Sequence, residues 1–179
     1  MNYDWINKVG TLPRMVSLGV SLIGTREVVG KGSNRTILEW RDELNQNGVK
    51  ISGYSDDDIA WCGLFVAYLA YNRCNFAHEV VTDPLWARNW ASYGIKSPKA
   101  SLGDVLVFSR NGGGHVGLYI AEDGQAYHVL GGNQGNSVSI ARIEKARCIA
   151  VRRPIYRNTP ESVKQYVVAT SGTLSTNEA

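Results

Sequence analysis

Cys62 and His115 are the two side chains whose types and settings suit covalent chemistry. Cys62 stands in Asp57-Asp-Ile-Ala-Trp-Cys-Gly-Leu-Phe-Val-Ala-Tyr-Leu, an acidic start that runs into a long apolar stretch. The pattern predicts a buried helix over residues 58–72, N-capped by Asp57 or Asp58, with the thiol in its first or second turn. Backbone N–H groups and the positive end of the helix dipole favour a thiolate there. His115 follows Gly112-Gly-Gly, a turn that feeds the strand Val-Gly-Leu-Tyr-Ile. A cysteine at a helix start and a histidine at a strand edge are the two halves of a cysteine nucleophile site. Taken alone, a cysteine in an apolar helix is more often an inert core residue, so the histidine motif decides the reading.

The remaining cysteines fit packing. Cys74 lies on the predicted cysteine helix, about 120° around from Cys62, and Cys148 sits in a late apolar strand. With no CxxC pair, neither a structural zinc knuckle nor a redox dithiol is indicated, and three cysteines make no disulfide framework. The run Ser55-Asp-Asp-Asp58 does not have the spacing of an EF-hand loop, and contiguous aspartates at a helix start read as caps.

Other elements must position these residues. A short amphipathic helix is predicted from Pro13, carrying Met15, Val16, Leu18, Val20, Leu22 and Ile23. A second covers residues 36–45, capped by Ser33 or Asn34 and closed by Gly48. Thr82 to Gly94 reads as another helix, with Pro84 in its first turn and Trp86 and Trp90 on one face. The period then becomes alternating, with strands expected at 104–108, 115–121, 125–130, 137–141 and 148–152. Helices first and antiparallel strands afterwards make an α+β fold with the N-terminal helices packed on one sheet. The expected organisation is a helical extension over 1–22, a main α+β domain over 23–156 and a polar tail over 157–179, mobile apart from a short helix at 163–168.

The 179 residues and 44% hydrophobic content suit one domain with a proper core. A net charge of +3 fits affinity for an anionic surface such as a bacterial wall and is too small to argue for nucleic acid. No segment is long and apolar enough to insert in a membrane, and the N-terminus lacks the pattern of a signal peptide.

Four motifs in order carry a resemblance: Trp61-Cys-Gly-Leu-Phe-Val, Leu102-Gly-Asp-Val-Leu-Val-Phe, Gly114-His-Val-Gly-Leu-Tyr and Val129-Leu-Gly-Gly-Asn-Gln. Over residues 23–154 the sequence resembles the CHAP and NlpC/P60 superfamily of papain-like peptidoglycan hydrolases, most closely its phage and prophage branch. The resemblance implies a papain-like fold, Cys62 as nucleophile, His115 as general base and acid, and a third polar residue that orients the imidazole. It implies no cofactor and no metal, which argues against zinc held by Cys62, His115 and His128.

Asn133 and His128 both compete for the third place. If Asp123-Gly124 is a two-residue hairpin turn, Glu122 pairs with Gln125 and His115 falls opposite Gly132, beside Asn133. His128 then sits opposite Tyr119, too far along for contact. Asn133 is favoured, and a bulge would change the count. Trp61 could wall the cleft, Gln134 could bond substrate or its own loop, and His128 could lie near the cleft. Glu27 and Asn34 could shape the groove or simply cap helices.

The implied function is hydrolysis of an amide in the wall peptide, as an endopeptidase or as an amidase at the sugar-linked alanine, through a thioester. The implied partner is bacterial peptidoglycan and the expected state a monomer. Without a signal peptide, the expected route is synthesis in the host cytoplasm followed by release through a holin or carriage on a virion. The alternatives are a catalytically silent wall-binding or virion structural module, and a toxin amidase of the same fold.

Overall fold

A computed structural model describes residues 3–74, 76–169 and 172–178; positions 1–2, 75, 170–171 and 179 lie outside the described residues. Among the described residues three α-helices lead, α1 (Arg14–Ser21), α2 (Arg35–Gln46) and α3 (Cys62–Cys74), and six strands follow. These are β1 (Ile95–Lys96), β2 (Val105–Arg110), β3 (Gly113–Glu122), β4 (Ala126–Gly131), β5 (Ser139–Glu144) and β6 (Cys148–Arg153). They form one antiparallel sheet in the order β1-β6-β2-β3-β4-β5. The α+β arrangement with helices packed on a single sheet is therefore present.

Strand alternation divides the apolar residues between two clusters. Val105, Val107, Val116 and Leu118 join the helices in the main core, while Leu106, Phe108, Tyr119 and Val129 form a smaller cluster. α3 is apolar all round, as a central buried helix must be. Gly19 of α1 lets that helix settle onto it, since an added Cβ would meet Leu130 at 2.9 Å and Leu69 at 3.2 Å.

Several details differ from the sequence expectations, and the strand β1 is not among the expected elements. The β3–β4 hairpin pairs Glu122 with Tyr127 and His128 with Ala121, not Tyr119, and carries a bulge between Tyr119 and Ala121. Asp123 causes the change: its carboxylate accepts the N–H groups of Gln125 and Ala126 at 2.8 and 3.0 Å, closing a loop wider than a two-residue turn. The bulge also sends consecutive Ile120 and Ala121 into the main core.

The stretch from Thr82 to Gly94 is no α-helix but a loop with a 3₁₀ turn at Ala87–Ser92. Asp83 takes a positive φ of 48°, and Trp86 is exposed while Trp90 is fully buried and donates Nε1 to the Pro84 carbonyl at 2.9 Å. Finally, residues 163–168 are extended, not helical. Lys164 accepts the Leu102 N–H, and Tyr166 and Val168 bond to Glu122 beside the end of β3.

Candidate active site

α3 begins at Cys62 itself, four residues later than the sequence suggests. Asp57 does not cap it. Its Oδ2 instead accepts the N–H groups of Val28 and Asn34 at 3.0 and 2.7 Å, tying the 28–34 loop to the segment before the cysteine. Asn34 caps α2, its Oδ1 accepting the Thr36 N–H at 2.8 Å. Asp56, Asp57 and Asp58 bring carboxylate oxygens within 4.8 Å of one another.

The close approach that seats Cys62 depends on Gly63. The chain at Pro84 and Leu85 crosses directly over the first turn of α3, and a Cβ on Gly63 would stand 2.2 Å from the Pro84 carbonyl oxygen. The thiol is buried and lies in hydrogen-bonding reach of the backbone N–H of Val116, the residue after His115, and of Gly63. Burial pushes the thiol above its usual range, outweighing those backbone donors and the positive charge of Arg110. The helix start therefore does not by itself produce a thiolate in this closed state.

His115 is fully buried on β3, directly across from Phe108 of β2. Its Nε2 lies 3.0 Å from Gln134 Oε1, and its buried Nδ1 has no partner among the described residues. The amide orientation follows from its other end. Gln134 Nε2 donates to the Val129 carbonyl at 3.1 Å and the Ser139 carbonyl at 2.7 Å, so Oε1 must face the imidazole. His115 therefore carries its proton on Nε2 and presents a lone pair at Nδ1. Burial drops its pKa to about 4, against the opposing pull of Glu178 and Gln134, so the ring is neutral at physiological pH.

The Val-Leu-Gly-Gly-Asn-Gln motif exists to make this contact. A Cβ on Gly131 would stand 2.7 Å from Gln134 Oε1 and 3.1 Å from His115 Nε2, and one on Gly132 would strike the Trp61 ring at 2.6 Å. Asn133 then takes a left-handed φ of 56°, a conformation asparagine tolerates, and the chain folds Gln134 back onto the histidine. The structure thus puts Gln134, expected only as a substrate or loop contact, on the His115 ring. Asn133, the favoured orienting residue, is buried beside it with its Oδ1 unpartnered. The repeated glycines were the available signal, because two of them in a row demand close backbone approach from both sides.

His128 is not brought to the site. It is buried six residues along β3 from His115, roughly 20 Å at the rise of a strand. Both its nitrogens are engaged, Nδ1 with Tyr3 Oη at 2.8 Å and Nε2 with Asp123 Oδ2 at 3.0 Å. Arg142 completes this network through Nε to Asp123 Oδ2 at 2.7 Å, and its hydrogen bond holds the Asp123 carboxyl well below the usual range. This is a structural cluster at the other end of the sheet.

Trp61 is fully buried, so it backs the site and does not wall an open cleft. Its Nε1 donates to Glu27 Oε1 at 2.6 Å, which makes Glu27 the anchor of that indole. Burial raises the Glu27 carboxyl, and the Trp61 bond offsets this only in part. Trp86 is exposed instead, and with Arg88 and the Gly112–Gly114 turn it lines a shallow pocket of about 250 Å³ just before His115. Arg88 staples the turn by donating Nε to the Gly113 carbonyl at 2.9 Å. Compared with protein-family models and with curated proteins, the sequence matches none of them.

Proposed function

We propose that the chain is a papain-like cysteine hydrolase that cleaves an amide bond of the bacterial wall peptide. One observation carries the chemistry: a neutral imidazole whose Nε2 proton is held by Gln134 and whose Nδ1 is left without a partner, on the strand that packs against the Cys62 thiol. Nδ1 takes the thiol proton as Sγ attacks the amide carbonyl. The backbone N–H at the start of α3 meets the developing oxyanion. His115 then protonates the leaving amine, a thioester remains on Cys62, and water activated by the same imidazole releases the acid. Gln134 keeps the ring in the productive tautomer throughout. The wall peptide as substrate is supported by the four ordered motifs and by the mildly basic charge.

The deep burial of both Cys62 and His115 supports a second reading, a wall-binding or virion structural module of the same fold that does not turn over. Purified peptidoglycan incubated with wild type and Cys62→Ala separates the two. Fragments released by wild type alone establish the cysteine mechanism, and their new termini, read by mass spectrometry, assign endopeptidase or amidase. Sedimentation with walls without any release favours the module.

A further inference from the structure

The pocket on the far side of the His115 turn has an unusual occupant. Arg110, the last residue of β2, pairs with Gly113 two positions before His115. Arg147 comes from the 3₁₀ turn Lys145–Arg147 and donates Nε to the Ser109 carbonyl at 3.3 Å. Between the two guanidinium groups lies Glu178, only 2% exposed. Arg147 holds its carboxylate in a fork, Nη1 to Oε1 at 3.2 Å and Nη2 to Oε2 at 2.8 Å, and Arg110 Nη1 donates to the Glu178 carbonyl at 3.0 Å. The adjacent Asn177 carbonyl accepts the N–H of Gly135, the residue directly after Gln134.

A fork of this kind is the geometry with which arginine recognises carboxylates. An anchor for segment 172–178 is already supplied by Arg142, whose Nη1 donates to the Gly172 carbonyl and whose own carbonyl accepts the Ser175 N–H. The site contains more than that: Arg110 Nε is buried without a partner among the described residues, and an open pocket of about 590 Å³ remains around the pair, lined by Ser109, Arg110, Asn111, Arg147, Thr176 and Glu178. We propose that Arg110 and Arg147 form a carboxylate-binding subsite flanking Cys62 and His115, which takes a free carboxylate of the substrate peptide and is filled in this state by the Glu178 side chain. The inference rests on Cys62 and His115 being the reacting pair. Charge coupling agrees with the placement, since Arg110 favours the Cys62 thiolate and Glu178 favours protonated His115. A substrate carboxylate that displaces Glu178 would take over its position relative to the imidazole.

The test is alkylation of Cys62 in the full chain by iodoacetate and by iodoacetamide, read at Cys62 by peptide mass. In both cases the sulfur displaces iodide, a C–S bond forming as C–I breaks, so the reagents differ chiefly in charge. Glu178→Gln removes the resident carboxylate at constant size. The iodoacetate-to-iodoacetamide rate ratio is expected to rise about tenfold over wild type. Glutarate should suppress that gain, and adding Arg147→Gln should abolish it. An unchanged ratio in Glu178→Gln overturns the subsite. So does a gain that sodium chloride at equal ionic strength removes as well as glutarate does, because that reports only the general field. A Cys62 inert to both reagents in all three chains overturns it as well, since a flanking subsite needs a reachable thiol. Wall hydrolysis is not the readout, so failure to release peptidoglycan fragments would sink the hydrolase reading separately.

Discussion

Gln134 accepts the Nε2 proton of His115 at 3.0 Å, whereas the neighbouring Asn133 makes no hydrogen bond to that ring. The two residues therefore separate cleanly in experiment. Gln134→Ala frees the imidazole to rotate and to change tautomer, and wall hydrolysis should fall by about 10- to 100-fold. Asn133→Gly keeps the left-handed turn and should stay within a few-fold of wild type. Matched kinetics of the two variants are the check; the reverse order would restore Asn133 as the orienting residue.

Burial holds His115 at about 4, below the 6.5 of an exposed imidazole. As pH falls, the unfolded chain takes up this proton first. Stability present above pH 6.5 is therefore lost as pH drops toward 4, by roughly 3 kcal/mol in full. Urea unfolding of wild type and His115→Gln across that window isolates the contribution. The variant should show the shallower decline, and parallel curves would contradict the burial argument.

The His128 cluster should matter for stability and not for chemistry. Asp123 is buried and accepts from Arg142, His128 and two backbone N–H groups. Asp123→Asn leaves Arg142 without its counter-charge and should cost about 3–5 kcal/mol. The rate of Cys62 alkylation by iodoacetamide, measured well below the melting temperature, should stay unchanged. A large change in that rate would tie the cluster to the site.

Gly63→Ala should be among the most damaging single methyl additions in the chain. The Pro84 carbonyl stands 2.2 Å from the new Cβ and belongs to backbone, so it cannot simply rotate aside. A loss of about 3 kcal/mol is expected in denaturant unfolding, with the exposed Trp86 displaced as the crossing loop lifts. A fluorescence shift without loss of stability would show that the 84–86 segment yields easily.

Much of this fold is legible in the sequence. Alternation marked five of the strands to within a few residues, because a one-sided or two-sided apolar pattern fixes which residues must be buried. Asn34, Gly48 and Pro13 marked helix ends through local backbone chemistry, as expected for capping residues. The errors came from side chains that act on distant backbone. Asp123 widened a hairpin and slipped the register, which moved His128 from Tyr119 to Ala121. Asp57 bonded a loop 23 residues earlier in the sequence when local rules gave it a cap. Trp86 and Trp90 had helical spacing, but Trp90 found its partner in the Pro84 carbonyl and the segment tightened into a 3₁₀ turn. Gln134 stands out in the sequence as a polar residue after two glycines, yet its target depends on left-handed Asn133, which sequence spacing does not reveal.

The Gln134 amide is also a crossbar. Its Nε2 is clamped between the Val129 carbonyl of β4 and the Ser139 carbonyl of β5, while its oxygen holds the His115 ring on β3. The alignment of that imidazole is thus gauged by the separation of two strands that, in the proposed mechanism, contribute no reacting atom. Warming or mutation that splays the β4–β5 hairpin would detune the imidazole before the helices loosen. Activity in this architecture would then fade at temperatures where most of the molecule is still folded.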